Sequence, residues 1–155
     1  MTPVHSYAAH VAWSGSTAVG YDAYDRSHTA SCPPARASLE LNSDPAFGGD
    51  PAKLNPEQLL VAAASSCQLL SFLAVAARAR IDVRDYRDDA GGTMDMSDRP
   101  ARVGRIELRP RIVVAPGPTE ERVRELCATA HRHCFIANSV STEIVVSPRV
   151  EWADA

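Results

Sequence analysis

The chain has no run of Lys and Arg, no closely spaced pair of cysteines and no repeat, low-complexity or linker-like segment. Each absence closes off a class of protein. With a formal net charge of −3 spread over interspersed acids and bases, there is no electrostatic footprint for nucleic acid or for an anionic membrane surface. Four cysteines without a Cys-x-x-Cys pair do not make the disulfide framework of a small secreted domain. No charged segment followed by an apolar one opens the sequence, so a reducing cytoplasm is the expected home. What remains is small-molecule or protein partners. At 155 residues the expectation is one domain, residues 1–155, large enough to bury a core without staples.

What the sequence does have is one long apolar stretch, from Asn55-Pro56-Glu57-Gln58 through Leu59, Cys67 and Phe72 to Ala77. It predicts a helix from Pro56 to about Arg80, with Asn55 as N-cap, Pro56 at the first helical position and Gln58 closing a capping box. Apolar residues occur on every side of its wheel, so the helix is expected to be covered on all faces. Residues 59–77 carry no charge and are long enough to span a bilayer. Ser65, Ser66, Cys67, Gln68 and Ser71 crowd the middle, however, where hydrocarbon tolerates polar groups least, and a buried core helix explains both features.

Around that helix the pattern is strand-rich. Pro3 to Trp13 reads as a strand, with a hairpin at Ser14-Gly15-Ser16 and a polar loop from Asp22 to His28 that holds Arg26. Cys32-Pro33-Pro34 excludes regular structure, Ala37 to Leu41 suits a short strand, and Asn42 to Leu54 is a loop leading to the helix cap. Ile81 to Tyr86 starts a strand expected to continue past Gly91-Gly92 to Met96. Arg102 to Ala115 has a clear period of two, with Ile106, Leu108, Ile112 and Val114 on one face and Arg105, Glu107, Arg109 and Arg111 on the other, as in an antiparallel strand with one wet face. Thr119 caps a second helix on which Val123, Leu126, Cys127, Ala130 and Cys134 recur at helical spacing, so both thiols face the core. The helical region ends at Asn138-Ser139, and Thr142 to Val146 with Arg149 to Trp152 supply a final strand.

Two thiols on the buried sides of two helices, Cys67 and Cys134, are by composition alone ordinary small core residues. Yet Asn55-Pro56-Glu57-Gln58-Leu59-Leu60 followed by Ala63-Ala64-Ser65-Ser66-Cys67 resembles the first signature of the OsmC/Ohr family, the osmotically inducible and organic-hydroperoxide-resistance proteins. Ala130-His131-Arg132-His133-Cys134 sits where that family carries its second cysteine, although Phe135 stands where members commonly have proline. The resemblance implies an α+β OsmC-like fold: antiparallel sheets wrapped around a long buried central helix and a second helix, in an intertwined homodimer. It implies a thiol-dependent peroxidase without metal or flavin, with Cys67 as the peroxidatic thiolate and Cys134 as the resolving thiol. An organic, fatty-acid-type hydroperoxide would be reduced, and an external dithiol of lipoyl or thioredoxin type would restore the thiols.

A buried thiol ionises poorly, so a cation is expected beside Cys67. The helix dipole fades too early to serve, and arginine keeps its proton when desolvated. The resemblance assigns that role to an Arg from an early loop, here Arg26, held by the Glu of the helix-start motif, here Glu57. Glu57 precedes Cys67 by ten residues, roughly 15 Å of helical rise. Two such helices packed antiparallel would bring each Glu57 to the partner's Cys67, giving two composite sites at a subunit interface. Cys127, His131 and Cys134 would permit zinc, though core packing explains Cys127 better; His131 or His133 could tune the resolving thiol, His28 is left unassigned, and Cys32 reads as incidental. The rival from another class is a non-catalytic module holding a lipid-like or thiol ligand in the interface cleft.

Overall fold

The computed structural model describes residues 2–154. The chain packs as two compact units, one up to residue 59 and one from residue 60.

The first unit is an antiparallel three-stranded meander, β1 (His10–Ala12), β2 (His28–Ser31) and β3 (Ser38–Leu41). The expected strand from Pro3 to Trp13 therefore shrinks to its last third, and no hairpin forms at Ser14-Gly15-Ser16. The cause is local. Ser16 caps a 3-10 turn at Thr17–Val19 by accepting the Ala18 N–H (3.2 Å), and the chain needs the whole of 13–27 to return as β2. After β3 the loop closes on itself, because the Asn42 N–H donates to the Leu54 carbonyl (2.9 Å) and Asp44 caps a 3-10 turn at Pro45–Phe47.

That closure delivers the chain to α1 (Pro56–Arg78), whose start is the expected capping box: Gln58 N–H to Asn55 Oδ1 at 2.8 Å and Asn55 N–H to Gln58 Oε1 at 3.0 Å. Asn55→Ala is expected to cost about 1 kcal/mol in urea unfolding, and a change under about 0.3 kcal/mol would show that the box adds nothing. The helix stops two residues earlier than expected. Arg80 takes a left-handed φ of 58°, and the Arg80 and Ile81 N–H groups close onto Ala77 and Ala76 (both 3.0 Å), a helix stop usually signalled by glycine.

In the second unit each of three extended segments changes sheets partway. The first gives β4 (Val83–Asp88) and β5 (Gly91–Met94), the second β6 (Val103–Leu108) and β7 (Pro110–Val114), the third β8 (Glu143–Val146) and β9 (Arg149–Trp152). One sheet has the order β4-β7-β9 and the other β5-β6-β8, with β6 and β7 central. The continuous strands expected over 81–96 and 102–115 are thus broken at Asp89-Ala90 and at Arg109. The sheets are also mixed rather than antiparallel: β8 and β9 lie parallel to β6 and β7, because α2 (Glu120–His133) forms the crossover that parallel strands require. The wet face is as read, with Arg105 bonded to Glu143 (2.5 Å) and Arg111 to Glu151 (2.6 Å) across strands.

Burial on α1 follows the single line Ala64, Gln68, Phe72, Ala76. Its first half packs on the second sheet, Ala64 with Ile106 and Leu108; its second half packs on the first sheet and α2, Phe72 and Ala76 with Ile112, Val114, Val123, Leu126 and Val150. By length and hydropathy the helix could cross a membrane, but this line makes it the core helix of an α+β fold. It is not covered on every side within one chain: Leu70 is 64% exposed and Leu73 lies bare on the same flank.

Candidate functional site

Cys67 and Cys134 meet in the second unit. Cys67 comes from the middle of α1, and Cys134 caps the C-terminus of α2, its N–H donating to the His131 carbonyl (3.2 Å). The turn that follows α2 points its amides back at the thiols. Ile136 N–H donates to Cys67 Sγ and Ala137 N–H to Cys134 Sγ, both at 3.5 Å. Both cysteines are free thiols.

Their acidities diverge. Burial alone would raise Cys67, but hydrogen bonds from the Cys134 thiol, the Ile136 and Phe135 N–H groups and Ser71 hold it below the ordinary cysteine value. Burial and the same shared bond push Cys134 up to about 11. Of the pair, Cys67 is therefore the more acidic thiol and Cys134 the one that holds its proton more tightly. The stabilisers are neutral donors; no cation is among them for the described residues, in contrast to the cation expected from the sequence. Phe135 gains meaning here, since a proline at that position would have no N–H to give.

Behind the pair lies buried polar structure that sequence reasoning missed. Gln68, fully buried, donates Nε2–H to the Cys127 carbonyl (3.2 Å) and touches Cys127 Sγ (3.6 Å). Ser65 donates to Asp88 Oδ2 (2.5 Å) while Asp88 Oδ1 accepts the Arg109 N–H (2.6 Å), tying α1 to both strand breaks. One signal was available: Gln68 falls on the buried line of an otherwise apolar helix, and a buried amide must find a partner. Burial pushes the Tyr86 phenol up, and the charges at Asp88, Cys127 and Cys134 act the same way.

Cys127 is buried and pushed up to about 11 from an ordinary value of 9.0. Between pH 9 and 11 the unfolded chain loses this proton while the folded one keeps it, so stability falls as pH rises. For Cys127 the loss approaches about 2–3 kcal/mol, with Cys134 acting in the same direction. Cys67, held low, has its contribution in full above pH 9 and loses it only as pH falls through its folded value, so it leaves this window flat. Urea unfolding at pH 8 and 10.5 is expected to show the drop, and Cys127→Ala to shrink it; equal slopes in both proteins would refute the assignment.

Arg26 and Glu57 belong to the first unit, where both line a cavity of about 450 Å³ with Trp13, Tyr21, Tyr24 and Phe47. No ion pair joins them among the described residues. Arg26 is held by carbonyls and rings instead: Nη1 donates to Tyr24 O (3.1 Å), Nη2 to Tyr21 O (2.6 Å), and Cζ stands 4.0 Å from the Tyr24 ring centre and 4.8 Å from that of Tyr21. Gly48, at φ +76°, closes the other side, and a Cβ there would sit 3.3 Å from the guanidinium. His28 donates its Nδ1–H to the Arg26 carbonyl (2.9 Å). Cys32 is exposed, and no group of three or more His, Cys, Asp or Glu suited to a metal occurs among the described residues.

A model of the OsmC-like protein family matches residues 48–149. Among solved structures, an OsmC-like protein of unknown function from Vibrio cholerae superposes with a TM-score of 0.85 at 30% identity, covering 94% of this chain and all of that one. An organic hydroperoxide resistance protein from Elizabethkingia anophelis aligns at TM-score 0.71 and 19% identity, over 99% of this chain and all of that one. The organic hydroperoxide resistance protein OhrB of Bacillus subtilis aligns at 0.61 and 16%, over 95% and 98%; at such identities the likeness is one of fold. No curated protein matches the sequence. A family model spanning most of the chain, a 30% identical relative covered from end to end, and two thiols meeting between the two helices lead to one conclusion: the chain belongs to the OsmC-like family.

Proposed function

We propose that the protein is a thiol-dependent peroxidase for organic hydroperoxides of fatty-acid type, acting in peroxide-stress defence. The observation that carries this reading is the asymmetry of one hydrogen-bonded thiol pair, with Cys67 held low and Cys134 pushed up to about 11. A low thiol is a nucleophile at neutral pH, and a protonated neighbour is a resolving partner that does not compete with it. The Cys67 thiolate attacks the terminal oxygen of ROOH, the O–O bond breaks to leave the sulfenic acid on Cys67, and the departing alkoxide takes a proton from solvent to become the alcohol. Cys134–SH then condenses with the Cys67 sulfenic acid, forming the S–S bond and releasing water. An external dithiol of lipoyl or thioredoxin type returns the disulfide to two thiols and is itself oxidised.

The working unit in this reading is a cytoplasmic homodimer. Its support is the bare Leu70 and Leu73 flank of α1, and a first unit whose cavity gathers Arg26, Glu57 and four aromatic rings that would face the partner's Cys67. The test is a dithiol-driven assay of wild type, Cys67→Ser and Cys134→Ser with cumene hydroperoxide and hydrogen peroxide, with mass spectrometry of the oxidised protein. No turnover by wild type and an unreactive Cys67 would sink it. The aromatic cavity of about 450 Å³ favours a second reading, retention of a lipid-like or thiol ligand without turnover, which that same outcome would leave standing.

A further inference from the structure

Gln68 follows the candidate nucleophile directly and is the one polar side chain on the buried line of α1, with relative exposure of 0%. Its amide orientation is set by what it touches: the NH₂ end must face the Cys127 carbonyl at 3.2 Å, since two oxygens would repel. That carbonyl belongs to α2, two turns before Cys134. One residue earlier on α1, Cys67 Sγ takes the Ile136 N–H just beyond the end of the same helix. Adjacent residues of α1 thus grip α2 at two levels, one on each side of Cys134. The other end of the amide, Oε1, is buried with no hydrogen-bond partner among the described residues, as is the Tyr86 hydroxyl. An amide retained in an apolar line at the cost of an unpaired oxygen is poorly explained by stability, because an apolar side chain of the same shape would remove both the bond and the orphan.

We propose that Gln68 is a positioning residue that holds the end of α2 so that Cys134 stands within bonding reach of Cys67. The inference rests on reading those two cysteines as a redox pair, but its test needs no peroxide. In buffers of oxidised and reduced glutathione, two protein thiols and one glutathione disulfide give the Cys67–Cys134 disulfide and two glutathione thiols. The equilibrium ratio, read by alkylation and mass spectrometry, gives the effective molarity of the pair.

Gln68→Met keeps the volume and removes the clamp, and is expected to lower the effective molarity by about tenfold or more with little change in the melting curve. Ala76→Gly, in the same buried line two turns on, weakens the helix and its apolar packing but leaves the Gln68–Cys127 bond in place, and is expected to stay within about threefold of wild type. If Gln68→Met does not fold by circular dichroism, Gln68→Asn, which keeps the amide but draws it back by one methylene, carries the comparison. An unchanged effective molarity in the Gln68 variant, an equal fall in Ala76→Gly, or no disulfide in wild type overturns the proposal. A normal disulfide equilibrium that responds to Gln68, in a protein inert to peroxides, would sink the peroxidase reading and leave the clamp in place.

Discussion

Replacing Cys67 with serine is expected to abolish dithiol-driven reduction of cumene hydroperoxide, a loss on the order of a thousandfold or more. The serine hydroxyl keeps its proton at any pH at which the protein folds, and the donors that lower the Cys67 thiol cannot ionise an alcohol. Cys134→Ser should differ in kind. Its Cys67 still attacks, so one alcohol forms per chain, after which the sulfenic acid has no partner and climbs to irreversible oxidation states under excess peroxide. Mass spectrometry then separates the roles: an interhelical disulfide in oxidised wild type, oxygen adducts on Cys67 in Cys134→Ser, and neither in Cys67→Ser. Equal turnover in wild type and Cys67→Ser would remove Cys67 from the chemistry.

The largest effect on stability is expected at Phe72. It is completely buried, stacks at 5.9 Å on Tyr86, and lies where α1, α2 and the β4-β7-β9 sheet meet. Phe72→Ala should cost about 3–5 kcal/mol, the transfer of a ring plus the cavity it leaves. At about 2–4 °C per kcal/mol for a chain of this size, the melting temperature is expected to fall by about 6–20 °C. A loss under about 1 kcal/mol in denaturant unfolding would mean that the surrounding side chains collapse into the space.

Where the determinant was local, the sequence was readable. Asn55, Pro56 and Gln58 lie within one turn and form the box they suggest; the stripe Val123, Leu126, Cys127, Ala130 is buried as its spacing requires. Where the determinant joins distant residues, the pattern was silent. At Arg109 the local mark of the strand break is Pro110, but the group that takes the displaced Arg109 N–H is Asp88, 21 positions away. Gln68 looked like a reason to doubt a membrane span, and its partner is 59 positions along the chain. The end of α1 was misplaced because an arginine fills the left-handed position that glycine would have advertised. Arg26 stood out as a charge in a loop, but that two tyrosines and a glycine would enclose it follows only from how residues 20–26 and 48 come together.

The three segments that each serve both sheets also govern how the second unit comes apart. Since β4 runs into β5, β6 into β7 and β8 into β9, neither sheet can unzip at the shared corner without loosening the other. The thiols stand at this corner: Ser65, two residues before Cys67, is bonded to Asp88, the last residue before the break. Cys134 is buried whereas Cys67 is half-buried, so a thiol reagent is expected to reach Cys134 only when this part of the fold opens. Backbone amides on either side of Asp89-Ala90, Arg109 and Ser147-Pro148 would then share one exchange rate, and that rate would cap how quickly a reagent labels Cys134.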